Sequence, residues 1–203
     1  MKPRFTLFPL WLISSLFISF NANGGEGGGQ TTSTPKAAMS IGAHDFDFFM
    51  GDWVIENRKL IKRLEGSDQW ETFQARQHVQ QLPGGIGNFD EFVAKTWKPD
   101  YVGMSLRVFN PETKLWSIYW LTNQNGGIDS KSGALMPPVV GKFENGVGIF
   151  EGADEFNGKP ILVRYTWSQI TNNSARWEQA FSPDAGKSWE TNWIMQMTRA
   201  SNK

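Results

Sequence analysis

The sequence predicts an all-β domain: a single antiparallel up-and-down meander of about ten strands, closed into a barrel. Three observations predict it. From Gly51 onward apolar residues recur at every second position in short runs. Short turn segments separate the runs, and Asn145-Gly146 and Asn157-Gly158 are the strongest hairpin signals, because both turn residues accept positive φ. No long helical pattern interrupts the runs, and parallel pairing would need long crossovers. A meander of that length closes on itself, since closure removes exposed edges.

The elements follow in order. Lys2 and Arg4 give a basic start, and Thr6 to Phe20 is almost free of polar side chains. That run is shorter than the roughly 20 residues that span a bilayer. With small residues at Ala22-Asn23-Gly24, residues 1–24 read as a secretory signal peptide. This implies a periplasmic or secreted protein with no integral membrane segment after cleavage. Residues 25–42, rich in Gly, Ser and Thr, are too apolar-poor to offset the entropy of ordering and read as a flexible low-complexity leader. The barrel domain is placed at 43–200. Ala43 to Met50 reads as one short helical turn, with Phe46 and Phe49 three apart and Gly51 able to end it.

The strands are expected at 51–62, 70–82, 88–95, 101–109, 116–121, 139–143, 147–156, 161–168, 175–182 and 189–199. In the first, Trp53, Ile55 and Ile61 share a phase. In the fourth, Val102, Met104, Leu106 and Val108 alternate against Ser105 and Arg107. Residues 123–138, rich in Gly, Asn and Ser and ended by Pro137-Pro138, form the one long loop.

The chain holds 10 Trp, 15 Phe, 3 Tyr and no Cys. An exported chain without disulfides must draw its stability from core burial, which aromatic side chains supply. Removing Lys2 and Arg4 from the 20 basic residues leaves 18 against 20 acidic ones, a net charge of −2. That argues against nucleic acid, which requires a basic face.

Phase assigns the inward face. Trp116, Ile118 and Trp120 share one phase, as do Ile161, Val163, Tyr165 and Trp167. Trp177, Gln179 and Phe181 face Trp189, Thr191, Trp193, Met195 and Met197 across a turn. The opposite phase carries Arg107, Arg164, Arg176, Glu178, Glu190 and Gln196, which read as solvated. A mostly apolar wall with a few polar fixtures suits a small apolar or aromatic ligand. The candidate lining is Trp120, Tyr165, Trp167, Trp177, Gln179, Thr191, Trp193 and Met195. The competing reading is a barrel filled by its own side chains. Were the interior polar, Arg107, Arg164, Glu178 and Asn192 would line it instead.

No catalytic, metal-binding or cofactor-binding set is expected. The two histidines, His44 and His78, are far apart, and there is no Cys to complete a zinc site. Glu178 and Glu190 read as outer-wall ion-pair partners of nearby arginines rather than an acid/base pair. Ser182-Pro183-Asp184-Ala185-Gly186-Lys187-Ser188-Trp189 resembles the Asp box of sialidases and other propeller enzymes. There it stabilises a turn, and a propeller would show several copies.

Gly51-Asp52-Trp53 resembles the Gly-x-Trp of lipocalins, which implies that Trp53 plugs one barrel end and that Arg199 stacks on it. Phe46-Asp47-Phe48-Phe49-Met50-Gly51-Asp52-Trp53, Glu56-Asn57-Arg58, Gly141-Lys142-Phe143, Gly146-Val147-Gly148, ARWEQAF over 175–181 and WETNW over 189–193 resemble an uncharacterised bacterial family with a calycin-like barrel. The resemblance covers roughly residues 44 to 199. It implies the fold and brings no assigned activity. A loose likeness to nitrobindin-like barrels would give a single histidine a haem to hold. The leading expectation is ligand binding. The alternatives are a calycin-like enzyme of cyclase or isomerase type with a cavity carboxylate, and an envelope interaction protein acting through the 123–138 loop.

Overall fold

A computed structural model describes residues 42–201. The expected signal peptide and, apart from Gly42, the leader lie outside the described residues. Ten antiparallel strands form one closed barrel: β1 (Gly51–Leu60), β2 (Trp70–Gln81), β3 (Gly87–Val93), β4 (Val102–Asn110), β5 (Leu115–Thr122), β6 (Val139–Glu144), β7 (Val147–Phe156), β8 (Lys159–Ser168), β9 (Ser174–Ser182) and β10 (Glu190–Arg199). Each strand pairs with its neighbours in sequence, and β1 pairs with β10 to close the ring. Among the described residues no helix is long and apolar enough to cross a membrane.

Local chemistry explains the turns. Asn145-Gly146 and Asn157-Gly158 both take positive φ, at 51° and 79° and at 52° and 75°, which suits the twist of their flanking strands. In the β9–β10 turn, Gly186 N–H donates to Ser182 Oγ at 2.8 Å and Ser188 N–H donates to Asp184 Oδ1 at 2.9 Å. The Ser188 hydroxyl and backbone, with Ser182, hold the Asp184 carboxyl down at about 2. The box is a turn brace, as the sequence implies.

One end of the barrel is sealed. A one-turn 3₁₀ helix, Asp47–Phe49, drops Phe46 and Phe49 into the barrel, where both are buried. Phe46 meets Trp116 and Phe143 edge-on, each at 4.9 Å, and Phe49 meets Trp167 at 4.7 Å. Trp53 donates its indole N–H to the Phe49 carbonyl at 2.7 Å. Arg199 stacks 4.2 Å over Trp53 and donates to the carbonyls of Met50 and Phe48, each at 2.6 Å. The chain enters β1 and leaves β10 at this end: the Gly42 carbonyl accepts from the Trp116 indole, and Ala200 N–H donates to the Asp52 carbonyl.

Four details depart from the alternation read in the sequence. First, β4 is turned over: Gly103, Ser105, Arg107 and Phe109 face inward, while Met104, Leu106 and Val108 lie half-exposed outside. Arg107, expected in solvent, is 2 % exposed. The reason is volume. A Cβ on Gly103 would lie 2.4 Å from the Trp120 ring, so neighbouring indoles fill this part of the interior and β4 contributes its small and polar residues. Second, the β9–β10 register shifts between Thr191 and Trp193, which inserts one residue into β10. The bulge sends Thr191 into solvent and buries Asn192 completely. Third, the same bulge brings Glu190 opposite inward-facing Phe181, where it is half-buried and accepts from Leu64 N–H at 2.7 Å. Fourth, β1 ends at Leu60, so Ile61 leaves the inward phase and is 56 % exposed.

Candidate functional site

The strands place two unlike walls around one internal cavity. Strands β5 and β8–β10 bring Ile118, Trp120, Tyr165, Trp167, Trp177, Trp193, Met195 and Met197, joined by Phe92 of β3. Gln77 of β2, Ser105 and Arg107 of β4, and Gln179 of β9 add polar groups. Of the eight residues singled out in the sequence, seven line this cavity: Trp120, Tyr165, Trp167, Trp177, Gln179, Trp193 and Met195. Thr191 does not, because the β10 bulge turns it out.

The indoles are held in fixed poses. Trp193 donates to Asn57 Oδ1 at 3.0 Å and meets Trp177 edge-on at 5.8 Å. Tyr165 packs on Trp177 at 4.9 Å. Burial first, then Asp154 and Tyr101, pushes the Tyr165 phenol well above its ordinary range, so it is neutral and able to donate a hydrogen bond. Gln179 donates to Asn192 Oδ1 at 2.8 Å.

The polar side rests on a buried ion pair that the sequence reading missed. Arg107 pairs with Asp90, which is itself fully buried, and donates to Asn88 Oδ1 at 2.9 Å. Asp90 also accepts from Ser105 N–H at 3.1 Å. The guanidinium lies 5.0 Å from the Phe49 ring, so the sealed end roofs it. Spare capacity remains. Gln77 Oε1, Arg107 Nε and Trp167 Nε1 are buried without a hydrogen-bond partner among the described residues, and all three side chains line the cavity. Leaving such groups unpaired costs about 1–3 kcal/mol each. The one sequence signal for this wall was Asn88-Phe89-Asp90 lying one hairpin away from Arg107.

The cavity is small. At about 60 Å³ it has room for a few water molecules, well below the roughly 300 Å³ at which drug-sized sites begin. Most of the barrel is filled by its own side chains.

The other end of the barrel is the mouth. The segment between β3 and β4 folds over it and places Trp97 parallel to Phe73 at 4.4 Å and 6.2 Å from Trp193. Lys59, the last inward residue of β1, sits over Trp193 at 3.7 Å and over Trp97 at 4.8 Å. An indole in the otherwise polar stretch Lys95-Thr96-Trp97-Lys98 was the signal available for this cover.

Other candidates lie outside. His78 pairs with Asp52 on the outer wall, and His44 pairs with Asp47, each at 2.7 Å. Arg164 pairs with Glu151 and Arg176 with Glu178, while Arg164 also covers Trp189 at 3.8 Å. No carboxylate is among the described residues lining the cavity. The 123–138 loop folds on itself through an Ile128–Leu135 bridge and leaves Ile128, Leu135 and Met136 exposed.

No family model matches the chain, and no curated protein matches it in sequence. Among solved structures it is similar to an S-type phycobiliprotein lyase, CPES, from Guillardia theta. The TM-score is 0.50 at 10% identity, over 83% of this chain and 97% of that one. The likeness is one of fold alone.

Proposed function

We propose that this chain is an exported member of the calycin-like barrels that binds a small apolar or aromatic molecule between its indole wall and its polar wall. One observation carries the reading: a single cavity is lined by four indoles and by three side chains that each hold one buried polar atom with no hydrogen-bond partner among the described residues. An interior meant only to be filled gains nothing from such groups, whereas a ligand bearing one acceptor and one donor offsets their cost. The cavity volume limits the ligand to a small or slender molecule, or to one that parts the indoles on entry. The fold shared with a phycobiliprotein lyase is compatible with this reading. Export rests on the signal pattern of residues 1–24.

Tryptophan emission of the barrel, titrated with naphthalene, 2-naphthol and cyclohexanol, tests the proposal. A saturable shift or quench is expected from at least one. The absence of any saturable change across the set would count against binding.

A further inference from the structure

We infer that the mouth of the barrel holds the oxyanion of an amphipathic ligand, a carboxylate or phosphate on an aromatic body, anchored by Lys59 with Arg63 and Lys98 beside it. The inference rests on the binding reading above and assigns the ligand a charge and an orientation.

The argument starts from cations without partners. Lys59 and Lys98 both place an ammonium over Trp97, at 4.8 and 4.6 Å, and Lys59 also caps Trp193. Arg63 lies near enough to act on Lys59, and its Nε is buried with no partner among the described residues. The lysine and arginine ion pairs of the described residues all form elsewhere: Arg107–Asp90, Lys142–Glu144, Arg164–Glu151 and Arg176–Glu178. Two carboxylates face the cluster, and both are already engaged. Glu71 accepts from the Trp97 indole at 3.1 Å, and Glu190 accepts from Leu64 N–H. Three positive groups therefore meet two occupied negative ones at the edge of the cavity.

Indole faces favour an ammonium, but burial opposes it, and so do the like charges of Arg63 and Lys98. Burial is the largest effect, and with those two neighbours it brings the Lys59 amine down to about 7 against the pull of Glu71. A half-buried ammonium with no ion pair among the described residues is relieved by any anion that docks beside it. An oxyanion placed there would direct its aromatic body onto Trp193 and inward toward Trp177. An anion at the inner wall would instead compete with Asp90 for Arg107, so the charged end of the ligand stays at the mouth.

Titrations of the protein with 2-naphthoate, 2-naphthyl phosphate and the neutral isostere 2-naphthamide test this. At pH 6 and low salt an oxyanion should bind about tenfold or more tightly than the amide, as charge-assisted contacts do. The naphthoate advantage should shrink severalfold by pH 8, as Lys59 loses its proton, and should fall with added salt. Lys59→Met, which keeps the apolar stem, should abolish the advantage and its pH dependence. Lys98→Met, at an exposed position, should reduce it in part and serves if Lys59→Met folds poorly. The tighter of the two acids identifies the oxyanion. Equal binding of acids and amide would overturn the inference and leave ligand binding standing; no binding by any of the three would overturn both.

Discussion

Arg107 shows how a single residue divides this interior. Its strand alternates so cleanly that Met104, Leu106 and Val108 should point inward, yet they face out and the arginine faces in. Alternation fixes which residues share a face but not which face wins. Here the volume taken by Trp120 and the waiting carboxylate of Asp90 decide it, and neither is visible from β4 alone. Removing one partner of a buried ion pair strands the other charge. Arg107→Met should therefore cost about 3–5 kcal/mol, and Asp90→Asn less, because the amide still accepts from the guanidinium. Urea midpoints would measure both. The double variant Arg107→Met with Asp90→Leu should recover much of the loss.

Among the elements, the meander itself was legible, down to ten strands and both Asn-Gly turns, because turn chemistry and period-two patterning are local. The indole wall was legible for the same reason: β8, β9 and most of β10 keep one phase throughout. The bulge in β10 was not. It shifts Thr191 and Asn192 by one position, and nothing between Trp189 and Trp193 marks an inserted residue. The polar wall and the cover over the mouth were also missed, since Gln77, Asp90, Lys59 and Trp97 gain meaning only from partners across the barrel. Close strand approach makes its own demand at Gly141, where an added Cβ would lie 1.8 Å from the Ile149 carbonyl oxygen. The neighbour is backbone and cannot rotate away. Gly141→Ala should cost about 1–3 kcal/mol. It should also speed amide exchange in β6 and β7 before other strands, as hydrogen-exchange mass spectrometry would resolve.

The whole molecule depends on joining its first strand to its last. Arg199 makes that junction specific, because its guanidinium ties the carbonyls of Phe48 and Met50 while covering Trp53. The pairing was legible from Gly51-Asp52-Trp53 and a late arginine in phase; the three carbonyl partners, Phe48, Met50 and Asn172, were not, since backbone acceptors leave no mark in a sequence. Hydrogen bonds to a charged group contribute about 1.5–3 kcal/mol. Arg199→Met should lower stability by about that amount in chemical denaturation. Arg199→Lys should rescue little, because a single ammonium cannot serve three carbonyls and an indole at once.

Because the described domain starts at Gly42 and leaves β10 through Ala200 on the roofed side, an affinity tag or surface linkage joined directly at either edge of the domain hangs behind the doorway. Immobilised molecules should then load and empty at the same speed whichever terminus is anchored, and only a bulky fusion inserted in the Ala94–Tyr101 segment should slow the traffic.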